Sequence, residues 1–187
     1  MPGGDPLMHF CVVQVERAGA IFVRSCGIFR AADLQMLFKA LGSLDLYHGA
    51  RILHDMRNVD FSMSMEEVIK VAHAPRGQKL NTRVALVADT EAGFGVLRVI
   101  VAIRENASRM TNAFRSVDEA LYWLNIPDLG TVFPAGIEKF QAANLPCEAK
   151  LKDDFGLIFQ KFSVADALGG ESYDKECSRT NMVVPGA

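Results

Sequence analysis

The sequence predicts an α/β domain with a mixed β-sheet over residues 9–125, followed by an extension over 126–187 that is partly irregular and partly disordered. Three observations lead there. Short β-rich runs alternate with stretches whose apolar residues recur at helical spacing. The first two runs are close enough in sequence to form a hairpin, which adds an antiparallel pair. RVALVAD (83–89) is almost continuously apolar, the pattern of a parallel strand covered on both faces.

Residues 1–8, rich in Gly and Pro, read as a loose lead-in. FCVVQVE (10–16) and AIFVRSC (20–26) flank Arg17-Ala18-Gly19 as the two arms of the hairpin. An even loop centred on Ala18 and Gly19 would set Cys11 opposite Cys26; an odd loop would not. RAADLQMLFKALG (30–42) places Leu34, Leu37, Phe38 and Leu41 on one helical face, with Gly42 as the stop.

ARILHDM (50–56) is a short apolar strand. Ser64-Met65-Glu66-Glu67 then opens a helix in which Met65, Val68, Ile69 and Ala72 share the inward face, closed by Pro75 and Gly77. After RVALVAD, residues 91–107 form a longer helix with Phe94, Leu97, Val101 and Ile103 inward. MTNAFRS (110–116) is the last short strand, and Ser116 caps an amphipathic helix that ends near Leu124. The order is β-β-α-β-α-β-α-β-α, and right-handed crossovers restrict its topology. Beyond Asn125 the pattern degrades. Pro127, Gly130, Pro134 and Pro146 punctuate the chain, although DFGLIFQKF (154–162) is apolar enough to dock.

Half of the 187 residues are hydrophobic and 22% are charged, enough to bury a sizeable core. The formal net charge of -2, without a basic block, argues against nucleic acid as a partner. No apolar stretch is long enough to span a bilayer, and MPGGDPLMHF lacks the pattern of an export signal. Cys11, Cys26, Cys147 and Cys177 have no Cys-x-x-Cys spacing, so they read as reduced thiols in a cytoplasmic protein.

The candidate chemistry concentrates in HDMRNVDFSMSMEEV (54–68). His54 and Asp55 are adjacent on a strand and point to opposite faces, so they do not share a metal ion. The remaining histidines show no ligand spacing, and neither a metal nor a cofactor is expected. Asp55 and Arg57 mark the exposed end of the strand as a surface ion pair. Ser64 with Glu67 three residues later is a capping box. Phosphate at such a helix start gains from free N–H groups, but Glu66 and Glu67 oppose it.

Gly93 and Gly95 follow a strand. Arg98 occupies the place of the third glycine of a dinucleotide fingerprint, however, which leaves close helix packing as their role. Arg98 and Arg104 are either ligand-facing or on a solvated face. Trp123 reads as an anchor at the edge of the core.

Taken in order, the hairpin, the helix, "ILHDMRNVDFS", "RVALVAD", "AGFGVLR" and "FRSVDEALYWL" resemble the SpoIIAA-like branch of STAS domains, which are grouped loosely with lipid-binding SEC14-type proteins. The resemblance covers residues 9–125. It implies a small domain with helices mainly on one side of the sheet, and a binding activity rather than catalysis. In the antagonists of that family a switch serine opens the helix after this strand. Ser64 matches the place, with Ser62 beside it, while Met63 stands where an Asp would precede it and Glu66 near a Gly.

The resemblance thus implies a non-enzymatic regulatory module that meets a protein partner through residues 57–64 and the adjoining helix start. Asp55, Arg57 and Asp60 belong to that surface, and Phe94 and Arg98 to the following helix. A lipid or other small-molecule carrier, with an apolar cavity near Phe94, is the alternative. A hydrolase built on Asp55 and a His ranks last. Homodimers through exposed helix faces also fit the resemblance.

Overall fold

The computed structural model describes residues 9–15, 18–30, 49–73, 82–105, 110–130, 150–152 and 157–163. Seven strands run in the order β1 (His9–Val15), β2 (Ala20–Ile28), β3 (Arg51–Asp60), β4 (Arg83–Val87), β5 (Thr111–Phe114), β6 (Lys150–Lys152) and β7 (Leu157–Ser163). Helix α1 (Met65–His73) follows β3, α2 (Glu91–Glu105) follows β4, and α3 (Val117–Trp123) follows β5. The helix expected over 30–42 lies outside the described residues, as do Cys147 and Cys177.

The strands form one mixed sheet in the order β5-β4-β3-β2-β1-β7-β6. From β2 to β5 all neighbours are parallel, whereas β1 is antiparallel to both β2 and β7. The opening hairpin forms, with Val15 opposite Ala20. Its centre falls one residue earlier than Ala18-Gly19, with Gly19 in a left-handed conformation (φ 55°) that costs glycine little. Cys11 therefore faces Arg24, and Cys26 faces His9. Cys11 is a buried free thiol. Cys26 is disulfide-bonded, which departs from the expectation of reduced thiols throughout.

Two strands from beyond residue 125 join the same sheet. β7 runs along the whole of β1, from His9 opposite Ser163 to Val15 opposite Leu157, and β6 pairs with β7.

Both faces of the sheet are covered. On one, Ile21, Val23, Ile52, Met56 and Leu86 pack against Val68, Val71 and Ala72 of α1 and Leu97, Ile100 and Val101 of α2. On the other, Val13, Phe22, Leu53, Ala85 and Val87 meet Ala120, Leu121 and Leu124. Full burial of a side chain such as Phe22 or Leu53 stabilises by about 1.5–3 kcal/mol. β4 alternates between the two clusters, as its unbroken apolar run requires. Ser116 caps α3, its hydroxyl accepting from the Glu119 N–H at 3.2 Å.

α1 is rotated from the sequence expectation. Val68, Val71 and Ala72 are its buried residues, while Met65 and Ile69 are 59% and 42% exposed. The packing of α1 on α2 selects the stripe through Val71. Arg104 of α2 is also not a solvated arginine. Its Nε and Nη2 donate to the carbonyls of Ala72 (3.2 Å) and Val71 (3.0 Å), satisfying acceptors that a helix end leaves open.

Candidate functional site

The chemistry-bearing residues of β2 and β3 meet at an irregularity. Arg24 pairs with Asp55, but Cys26 pairs with Asn58, so β3 carries one extra residue in the interval. Such a bulge bends a strand and re-aims its side chains. Two polar contacts bracket it on opposite faces of the sheet.

On the α3 face lies Asp55, which is buried at 2% exposure. Arg57 grips it through two bonds, Nε to Oδ1 at 2.9 Å and Nη2 to Oδ2 at 2.8 Å, and the Arg57 N–H adds a third at 3.2 Å. Arg24 Nε and Nη2 both reach Oδ2 at 3.3 Å. Burial alone would raise the Asp55 carboxyl. The Arg57 hydrogen bonds, with the charges of Arg57 and Arg24, outweigh it and hold the carboxyl below its ordinary range. Asp55 is thus not an exposed surface acid. Its two oxygens accept four hydrogen bonds from two guanidiniums and a fifth from the Arg57 backbone N–H. Arg57 itself is one-third exposed and also feels Asp89 and Asp118.

On the other face His54 is buried, with Nε2 2.6 Å from Ser25 Oγ. Burial pushes this imidazole down to about 4, against the smaller opposing effect of Asp55. The side chain is neutral at physiological pH, and strand alternation keeps it on the face opposite Asp55.

Beyond the strand the backbone makes two consecutive local closures. Asp60 Oδ1 accepts from the Ser62 N–H (3.0 Å) and from Ser62 Oγ (2.5 Å), an Asx turn. Ser64 and Glu67 then form the reciprocal capping box: Glu67 N–H donates to Ser64 Oγ at 3.3 Å, and Ser64 N–H donates to Glu67 Oε2 at 2.9 Å. Ser64 Oγ also lies 3.0 Å from Glu67 Oε2. Both serines are exposed.

Phe61 fixes this segment from below, 5.7 Å from Phe29 centroid to centroid and in contact with Gly93. A Cβ on Gly93 would lie 2.9 Å from Phe61, whereas one on Gly95 would meet open space. Close packing is therefore the role of the first glycine alone.

The candidate residues thus divide. Asp55 and Arg57 form one cluster, and Asp60, Ser62 and Ser64 shape the loop that follows. Phe94 is half-buried under the guanidinium of Arg115, 4.3 Å from its ring centroid, while Arg115 pairs with Glu91 at 2.8 Å. Arg98 is exposed on α2. Arg24, Ser25 and Arg115 were not singled out from the sequence. Their partners lie 24 to 31 positions away, and no local spacing signals such pairs.

Among the described residues no group of three or more His, Cys, Asp or Glu could hold a metal ion. No helix among them is long and apolar enough to cross a membrane. No family model matches the chain, and no curated protein matches it.

Proposed function

We propose that the chain is a STAS-like, non-enzymatic binding or regulatory module that meets a protein partner through residues 57–64 and the outward side of α1. One observation carries this reading: Met65 and Ile69, one turn apart, are the large apolar residues that α1 turns to solvent, directly beside the exposed Ser62 and Ser64. Apolar side chains flanked by hydroxyls and charges are the composition of a recognition patch with a polar rim.

The loop is held in place rather than left to fold on contact, by Phe61, the Asp60 turn and the capping box. Pre-organisation of this kind lowers the entropic cost of association. The neighbouring polar groups support binding over turnover. The oxygens of Asp55 are committed to arginines, and His54 is buried on the opposite face.

A photoreactive residue placed at position 65, in the cells that naturally make the chain, tests the reading. It should yield a discrete protein adduct, identified by mass spectrometry, that the same probe at the exposed position 102 of α2 does not give. Equal labelling from both positions would remove the reading. Native mass spectrometry of freshly isolated protein discriminates the alternative, since a retained lipid or metabolite would favour a carrier.

A further inference from the structure

We infer that the outward face of α1 is self-complementary and that two copies of the chain pair through it as an antiparallel helix dimer. This names the partner of the surface proposed above and rests on that reading. The face consists of Met65, Glu66, Ile69, Lys70 and His73, all exposed. Met65 and Ile69 form an apolar ridge. Beside it, Glu66 and Lys70 form a charged ridge and are paired at 2.8 Å. Glu67 is turned back onto Ser64 by the capping box, so the charged ridge presents one acid and one base.

An isologous dimer needs a single patch that matches itself under two-fold rotation. An axis perpendicular to α1 near Val68 sets Glu66 of each copy opposite Lys70 of the other, twice over. The same operation brings Met65 of one copy to within about 3 Å, along the helix, of the level of Ile69 of the other and opposes the two helix dipoles. A parallel arrangement would put like charges together and align the dipoles.

The patch is small. A helix of nine residues is about 14 Å long, and a stable interface buries roughly 800 Å² per partner. The dimer is therefore weak and concentration-dependent.

Sedimentation velocity of the full chain over a concentration series tests the pairing. The wild type should shift toward twice the monomer mass as concentration rises, and Met65→Glu with Ile69→Glu should abolish the shift. Glu66→Lys alone and Lys70→Glu alone should each remain monomeric, because like charges then meet across the axis. Mixed in equal amounts, those two variants should associate with each other. This outcome cannot arise from misfolding.

A wild type that stays monomeric throughout overturns the pairing. So does a dimer that survives the double apolar substitution, or a mixture that fails to associate. If the wild type is monomeric while a probe at position 65 captures a different protein, the self-pairing fails and the proposed function stands. If the probe at 65 gives nothing above the control position, the functional reading itself falls.

Discussion

Phe61 occupies the space that a side chain on Gly93 would need. A Cβ there would lie 2.9 Å from the ring and 2.8 Å from Thr90 Oγ1, which itself accepts the Gly93 N–H at 3.1 Å. Phe61 is also packed against Phe29, which limits its room to yield. Gly93→Ala should therefore destabilise by about 1–3 kcal/mol through overpacking. Gly95→Ala, two residues along the same helix and facing open space, should stabilise by up to about 1 kcal/mol through helix propensity. Urea denaturation midpoints of the two variants should move in opposite directions. The same direction for both would mean that the Phe61 contact does not constrain the loop.

Asp55 depends on its arginines in a pH-dependent way. Arg57→Gln leaves a buried carboxylate with the longer contacts to Arg24 and the backbone N–H of residue 57, and should cost about 3–5 kcal/mol near neutral pH. The folded-state carboxyl lies below its ordinary value of 3.8. Its contribution is present above that value and is lost as pH falls through the lower, folded one. Removing the Arg57 bonds raises the folded-state carboxyl, so acid unfolding of the variant should begin at higher pH than in the wild type. Acid titration followed by circular dichroism checks the direction. Coincident acid limbs would show that Arg24 and the residue-57 backbone N–H suffice.

These two relationships mark the limit of what could be read from the chain. The hairpin, the apolar β4 and the caps at Ser64 and Ser116 were legible because each rests on residues within a few positions of one another. The orientation of α1 was not. Met65, Val68, Ile69 and Ala72 satisfy helical periodicity as well as Val68, Val71 and Ala72 do, and only contact with α2 separates the two stripes. Asp55 looked like a surface acid because an arginine follows two positions later, whereas its burial depends also on Arg24 from another strand. Beyond residue 125, the pairing of β7 with β1 joins segments more than 140 positions apart. The alternation in LIFQKFS does not specify which edge it will meet.

His54 should make stability fall on the acidic side of neutrality, above the range in which Asp55 acts. Its imidazole is at about 4 when folded and at 6.5 when unfolded. Between those values the unfolded chain binds a proton that the native state refuses, so stability rises with pH across that interval. It is complete above the upper value and has lost about 3 kcal/mol, to order of magnitude, by the lower one. His54→Gln keeps a partner for Ser25 without a titrating group, and should flatten this slope while leaving the acid limb of Asp55 in place. Chemical denaturation at closely spaced pH values would decide it, since an unchanged slope places the titration elsewhere.

Ser64 carries two roles that a pair of substitutions can separate. Ser64→Ala removes the acceptor for the Glu67 N–H and should cost about 1 kcal/mol as a lost cap. Ser64→Asp restores a good capping acceptor but sets a negative charge beside Glu66 and Glu67, so it should recover part of the stability. It should also alter the charge of the surface next to Met65. If Ser64 only caps α1, adduct formation from position 65 should follow thermal stability through the series wild type, Asp, Ala. If the hydroxyl also belongs to the recognition surface, Ser64→Asp should lose the adduct while staying closer to wild type in midpoint than Ser64→Ala. Thermal unfolding combined with the photo-cross-linking readout distinguishes the two, because capping acts on the helix and recognition on what touches it.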